Sequence, residues 1–278
     1  ASDVDFEEIV RITRDWPGSK LANLANRSRW VAARRAKGEA EKKREHPELE
    51  IAVRKRIHQE DMLKAYEFVI WGPETHLDLS DKELEVIAYH EGAHGIASLT
   101  LPEADPSEYV TMKTHSGTLG HAFPIAERDY HMESKTRWLT RVKVFLAGYA
   151  VEIARYGEPS TSAKMDLANA TNFVESMVFD YGMDEKIGPV AIRALSSGSS
   201  IAGQLGMGQS ALGSTAHERV AAILNECAQE MIKFFSSPEG EKVLVDVSHR
   251  LHKEKTLTRA QLEEIIPKEM LDRRTAKI

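Results

Sequence analysis

His90, Glu91 and His94 are the residues of this 278-residue chain whose types and spacing point most directly to chemistry. They stand in Tyr89-His90-Glu91-Gly92-Ala93-His94, inside an apolar stretch with helical periodicity over residues 81–101. Residues four apart share one face of a helix, so the two imidazoles can each offer a nitrogen to one Zn²⁺. Glu91 flanks the same point and could take the proton from a water that the metal acidifies to a pKa of about 7. The same pentapeptide also arises by chance on amphipathic helices, so the reading turns on a third donor. The pattern in which a glycine and then a third histidine follow downstream is excluded by Ala97 and Thr100. The donor has to come from farther along the chain.

Several elements must position these groups. Ser80 with Glu83 forms a capping box at the start of the motif helix, Leu84, Ile87 and Ala88 begin its stripe, and Pro102 closes it. Ser134 caps a long helix that Gly157 ends after Tyr156; Gly148 in its interior costs helix stability and so points to close packing. Glu152, one turn on, is either an exposed helix carboxylate or one that orients a ligand histidine. The next helix is capped by Thr161 or Ser162, ends at Gly182 and carries Ala170, Phe173, Val174, Met177, Val178 and Tyr181 as its stripe. Asp166 falls on that face, where a metal would satisfy it; the opposing reading is a first-turn Asp favoured by the helix dipole, and spacing alone leaves both open. Residues 109–112 and 118–123 read as strands with Gly117 at the turn between them, and His115 and His121 as plain surface residues.

Length and composition place limits on the rest. The chain has room for two modest domains, read as 1–72 and 73–278. A net charge of −6 argues against a nucleic-acid binder. Cys227 is the sole cysteine, so an internal disulfide is impossible and a zinc site must use histidine and carboxylate. No apolar run approaches the roughly 20 residues of a membrane span and no signal peptide opens the chain. The expectation is a soluble piece of a longer protein in a reducing setting.

The first 72 residues carry a short helix with Phe6, Ile9 and Val10, then a break at Pro17-Gly18 before Ser19 caps a second helix that buries Leu21, Leu24, Ala25 and Val31. Residues 34–56 are charge-dense and read as a solvated helix face or connector. Periodicity returns with Met62, Ala65, Tyr66, Val69 and Ile70 and stops at Trp71-Gly72-Pro73. Residues 196–213 are Gly- and Ser-rich and read as a mobile loop. A phosphate loop fails there because Ser214 stands where Lys is required, so no nucleotide site is expected in this chain. Thr215 with Glu218 should open a helix bearing Val220, Leu224, Cys227, Met231 and Phe234. Two packing helices follow, one with Val243, Leu244, Val247 and Leu251, the other opened by Thr258 with Gln261.

The chain resembles the FtsH-type AAA proteases, the membrane-anchored, ATP-dependent zinc metalloproteases of bacteria, mitochondria and chloroplasts. The resemblance covers nearly the whole sequence and rests on Tyr89 to His94, Leu101-Pro102-Glu103-Ala104-Asp105-Pro106, Leu119-Gly120, Ala147-Gly148-Tyr149-Ala150-Val151-Glu152, the stretch 161–171, Tyr181-Gly182-Met183 and Lys255-Thr256-Leu257. It implies Asp166 as third zinc ligand beside His90 and His94, Glu91 as catalytic base, and Glu152 as a carboxylate close to the metal. It implies that residues 1–72 resemble the helical lid of an AAA module, so that ATP and Mg²⁺ would act only through an ATPase core outside this chain. It implies polypeptide substrates, a homo-hexamer, and a parent protein on the cytoplasmic side of a bacterial inner membrane or on an organelle membrane, anchored by a segment absent here. The strand Leu119, Gly120, His121, Ala122 and Phe123 would border the cleft and pair with substrate backbone, Gly120 allowing close approach. Two departures stand out: the Gly92-Ala93 order within the motif, which the family usually has reversed, and an inserted charged stretch within 38–56. The expected fold class is mainly α, an AAA-type lid followed by a helical zinc metallopeptidase domain with a small β element. The rival reading is a degenerate member serving as a structural or chaperone-like assembly module without proteolysis.

Overall fold

The computed structural model describes residues 2–14, 16–115, 119–126, 130–196 and 211–275. The chain divides into two compact units, one formed by residues up to Leu77 with Thr114 and His115, the other by Asp78–Lys113 and the chain from Leu119 onward.

The first unit holds α1 (Phe6–Ile12), α2 (Gly18–Glu45) and α3 (Gln59–Trp71). Asp5 caps α1 by accepting from Glu8 N–H, and His58 with Asp61 boxes the start of α3. The α2 helix begins two residues earlier than the Ser19 cap predicts and takes Pro17 as its N-cap, with no side-chain hydrogen bond there. Leu24, Ser28 and Ala32 of α2 pack on α3, where Ala65 and Tyr66 are buried and Trp16 stacks on Tyr66 at 5.1 Å. The charge-dense run begins as a largely exposed helix face, one of the two readings of the sequence. Its first part continues α2 to Glu45, and Arg35 on that helix forks onto both oxygens of the fully buried Asp61 at 2.9 and 2.8 Å. The same guanidinium donates to the carbonyls of Arg54 and Arg56, so one side chain pins the returning segment. Gly72 ends α3 with φ +81, a conformation that favours glycine. His115 is buried, its Nδ1 3.2 Å from the Gly72 carbonyl, which corrects its reading as a surface residue.

The second unit is built round α4 (Asp81–Thr100), boxed at Ser80 and Glu83 as the sequence indicates. Every residue from Ile87 to Thr100 is buried, the burial expected of a helix with neighbours on all sides. Those neighbours are α5 (Lys135–Tyr156), α9 (Pro238–Glu254), α11 (Lys268–Thr275) and a small sheet. Close approach comes from small residues: a Cβ on Gly95 would stand 2.6 Å from Val110 Cγ2. A second apolar cluster joins α5 to α6 (Lys164–Phe179) and α8 (Ala211–Phe235) through Val142, Leu146, Val174, Val178, Val220 and Ile223. Cys227 is buried in it, as its place in the stripe requires. A short helix, α7 (Ile192–Ser196), precedes the stretch read as a Gly/Ser-rich loop, which lies largely outside the described residues. Because α8 starts at Ala211, Thr215 lies inside it and is not the predicted cap.

The sheet is antiparallel, in the order β2-β1-β3, with β1 Ser107–Thr111, β2 His121–Pro124 and β3 Thr256–Thr258. The strand β1 begins two residues before its predicted start, β2 starts only at His121, and β3 was not expected: it is a three-residue strand running directly into the cap of α10 (Arg259–Ile265). Gly117 and Thr118, read as the turn and the first residue of the second strand, lie outside the described residues. Register sets the backbone directions. Met112 N–H donates to the Lys255 carbonyl, so alternation turns Val110 toward β3 and Thr111 and Tyr109 toward β2. Across β2, His121 and Phe123 then face β1, and the backbone N–H and C=O of Ala122 point to the outer edge, which pairs with no strand among the described residues. His121 is buried, not a surface residue, its ring 5.7 Å from that of Tyr109. Among the described residues no helix is long and apolar enough to cross a membrane.

Removing Arg35 would strand the Asp61 carboxylate in the interior. The substitution Arg35→Met should therefore destabilise the first unit by about 3–5 kcal/mol, read as loss of its melting transition or a large fall in denaturant midpoint. A midpoint matching the parent would show that Asp61 is not dependent on this pair.

Candidate metal centre

Helix geometry places His90 and His94 one turn apart on α4, with ring centroids 4.9 Å apart. The rings do not float. His90 Nδ1 lies 2.7 Å from Glu152 Oε1 on α5, and His94 Nδ1 lies 2.8 Å from the Val144 carbonyl on the same helix. Each acceptor fixes the proton on Nδ1, which leaves both Nε2 lone pairs for a third party. Asp166, in the first turn of α6, supplies the remaining oxygen: its Oδ2 is 3.2 Å from His90 Nε2 and 3.5 Å from His94 Nε2. The three donor atoms lie within 4.8 Å of one another. His94 Nε2 is buried and makes no hydrogen bond, which is costly for a polar atom unless something else occupies its lone pair. Two neutral imidazoles and one carboxylate converging on a point suit a divalent cation of the zinc type, for which three protein donors leave a fourth position to water or substrate.

Burial and neighbouring charges pull each of these groups in opposite directions. Burial opposes charge on His90, but the carboxylates of Asp166 and Glu152 outweigh it and lift the imidazole to about 10. His94 is raised by the same contest, with Asp166 as its main support. Burial pushes Asp166 up, yet the two histidines pull it well below the ordinary carboxylate range. Glu152, nearly solvent-free, is likewise opposed by burial but held at about 2 by His90, Ser162 and the backbone N–H of Ser160. Glu91 moves the other way: burial raises its pKa and Asp166 adds to that, against the two histidines. A cation arriving here would displace protons from the imidazoles, so its binding should tighten as pH rises.

The sequence pattern of Peptidase family M41 matches residues 77–265, which include α4, α5, α6 and all three donors. The chain belongs to peptidase family M41. Relatives are similar over different extents. An ATP-dependent zinc metalloprotease FtsH 3 of Petrotoga mobilis is 32% identical over 98% of this chain and 40% of its own length. ATP-dependent zinc metalloproteases FtsH of Rubrobacter xylanophilus and Methylibium petroleiphilum are 36% and 35% identical over 68% and 69% of this chain, and 27% and 28% of theirs. The chain thus spans about 40% or less of the length of these curated relatives.

Two glycines let the M41 centre assemble. A Cβ at Gly148 would fall 2.4 Å from Cε1 and Nε2 of His90, so α5 can approach the ring only where a side chain is missing. A Cβ at Gly120, just before β2, would fall 2.8 Å from Glu91 Cγ and from the Thr111 carbonyl. Of the residues named from sequence, His90, His94, Asp166 and Glu152 meet directly, and Gly120 abuts Glu91. Leu119 and Gly120 precede β2, while His121, Ala122 and Phe123 lie in it. Two contributors were missed. The Val144 carbonyl leaves no mark in residue type, and Ser162, read only as a possible cap, touches both Glu152 and His90.

The two glycines should separate on substitution. Gly148→Ala drives a methyl into a ligand ring and should abolish stoichiometric metal binding, while Gly120→Ala should leave metal content intact. Metal analysis of the two purified variants decides this; full metal occupancy in Gly148→Ala would contradict the packing described.

Proposed function

We propose that this chain is the zinc peptidase part of an ATP-dependent protease, hydrolysing peptide bonds in unfolded or membrane-extracted polypeptides. The observation that carries the reading is the convergence of His90 Nε2, His94 Nε2 and an Asp166 oxygen, with Glu91 buried beside them. The names of these relatives, all ATP-dependent zinc metalloproteases, support the metal and the reaction.

In this reading His90, His94 and Asp166 would hold Zn²⁺, which would supply Lewis-acid polarisation of the scissile carbonyl and acidify the attacking water. Glu91, buried beside the three donors, would serve as base toward that water and then as acid to the leaving amine. Glu152 keeps His90 in the tautomer that binds through Nε2. The outer edge of β2 offers the Ala122 N–H and C=O to an extended substrate, and backbone pairing of that kind does not depend on substrate side chains. The rest is carried by resemblance alone. Residues 1–72 act as an AAA lid, ATP and Mg²⁺ are used by an ATPase core outside this chain, six copies assemble as a ring, and the parent protein sits on the cytoplasmic face of a bacterial or organelle membrane.

Glu91→Gln should keep zinc and lower casein cleavage by at least about 100-fold, the scale of a lost general base. Undiminished cleavage would end the assignment of Glu91, and bound zinc without turnover in the parent chain would favour an assembly module. Ala122→Pro removes a donor from the outer edge while leaving the β1 ladder whole. It should reduce kcat/KM by about tenfold, the worth of one backbone hydrogen bond, with zinc content and Tm near those of the parent. Unchanged kinetics in the folded variant would remove β2 from substrate binding.

A further inference from the structure

Behind His90 lies a hydroxyl that the His-Glu-x-x-His pattern and the donor cluster do not account for. Ser162 Oγ is 2.6 Å from Glu152 Oε1, 3.3 Å from His90 Nδ1 and 2.8 Å from Ser160 Oγ. Glu152 Oε1 therefore accepts from Ser162 and His90 together, while Oε2 takes the backbone N–H of Ser160. Ser162 belongs to a 3₁₀ turn, Thr161–Ala163, that runs directly into α6, and Asp166 follows four residues later. One hydroxyl thus joins the segment carrying the third donor to the carboxylate on α5 that holds the first donor on α4.

The turn does not need this hydroxyl. It is capped by Ser160, whose Oγ accepts from Ser162 N–H at 3.2 Å, and alanine is at home in helical backbone. The carboxylate of Glu152 ends a side chain with three rotatable torsions. Two donors from the 160–162 segment, one on each oxygen, set the plane in which it meets His90. They also set how far the start of α6 stands from that ring, and so the 3.2 Å between His90 Nε2 and Asp166 Oδ2.

We propose that Ser162 is a positioning residue for the cation site, its hydroxyl locking Glu152 and holding Asp166 in register with His90. This rests on the zinc reading of the donor cluster. Partners of metal-bound histidines commonly change affinity by about 10–100-fold when removed, and Ser162 acts one bond farther out, so the lower end applies. A purely stabilising serine would instead change the melting of the metal-free protein and leave affinity alone.

The test uses the full chain as the parent, Ser162→Ala and Ser162→Thr, with Zn²⁺ affinity from competition against a chromophoric chelator. The visible spectrum of the Co²⁺-loaded form and the Tm of the metal-free form are recorded alongside. Ser162→Ala should bind Zn²⁺ about 10-fold more weakly, with an altered Co²⁺ spectrum and a metal-free Tm close to the parent; Ser162→Thr should stay within about 3-fold. Equal affinity in the parent and Ser162→Ala, whatever the Tm, overturns the proposal. An equal loss in both variants assigns the effect to side-chain shape and overturns it too. A parent that binds no Zn²⁺ would instead overturn the zinc reading itself, so the two failures are told apart.

Discussion

The second unit depends on one close approach: the ring of His90 occupies space that a side chain on α5 would otherwise fill. At Gly148 the two helices can come near enough for Glu152, one turn later, to reach the back of that ring. The same helix presents the Val144 carbonyl to His94, so α5 holds both imidazoles by their Nδ1 atoms. Everything else in the centre follows from that orientation. Both Nε2 atoms face outward toward α6, and Asp166 meets them there.

Burial makes this arrangement both costly and specific. Two histidines and two carboxylates in a mostly dry region would be a liability if unpaired, and each carries a partner that answers for its charge. Glu91 is the exception in kind. Its surroundings push it toward the neutral form, while those of Glu152, also on a buried helix face, pull it toward the anion. Burial alone would raise both, and the hydrogen bonds from His90, Ser162 and Ser160 to Glu152 make the difference.

Much of the centre was legible because helix periodicity is a strict ruler. The four-residue spacing of His90 and His94 and the capping box at Ser80 define one face and one end of α4. Asp166 was ambiguous for a physical reason: a first-turn aspartate suits a helix dipole as well as a metal, and spacing cannot tell them apart. The misplaced features are those that local pattern does not encode. His115 and His121 looked like surface residues because a lone histidine carries no periodicity, and tertiary packing buried both. The strand β3 is three residues long and is held by pairing across more than a hundred residues of chain, so nothing local announces it. Arg35 belonged to a charge run whose composition suggested solvent, and only the structure shows the buried Asp61 opposite it.

The complete enclosure of α4 has a consequence for how such a centre can diversify. From Ile87 to Thr100 every residue is buried, so enlarging a side chain meets a neighbour and shrinking one leaves a cavity, and the segment bearing His90 and His94 has little freedom to vary. Freedom lies around it. Met165 and Leu167, on either side of Asp166, are exposed, as is Leu119 ahead of β2. Substitutions at these outer positions meet solvent, so they can accumulate while the inner helix stays fixed.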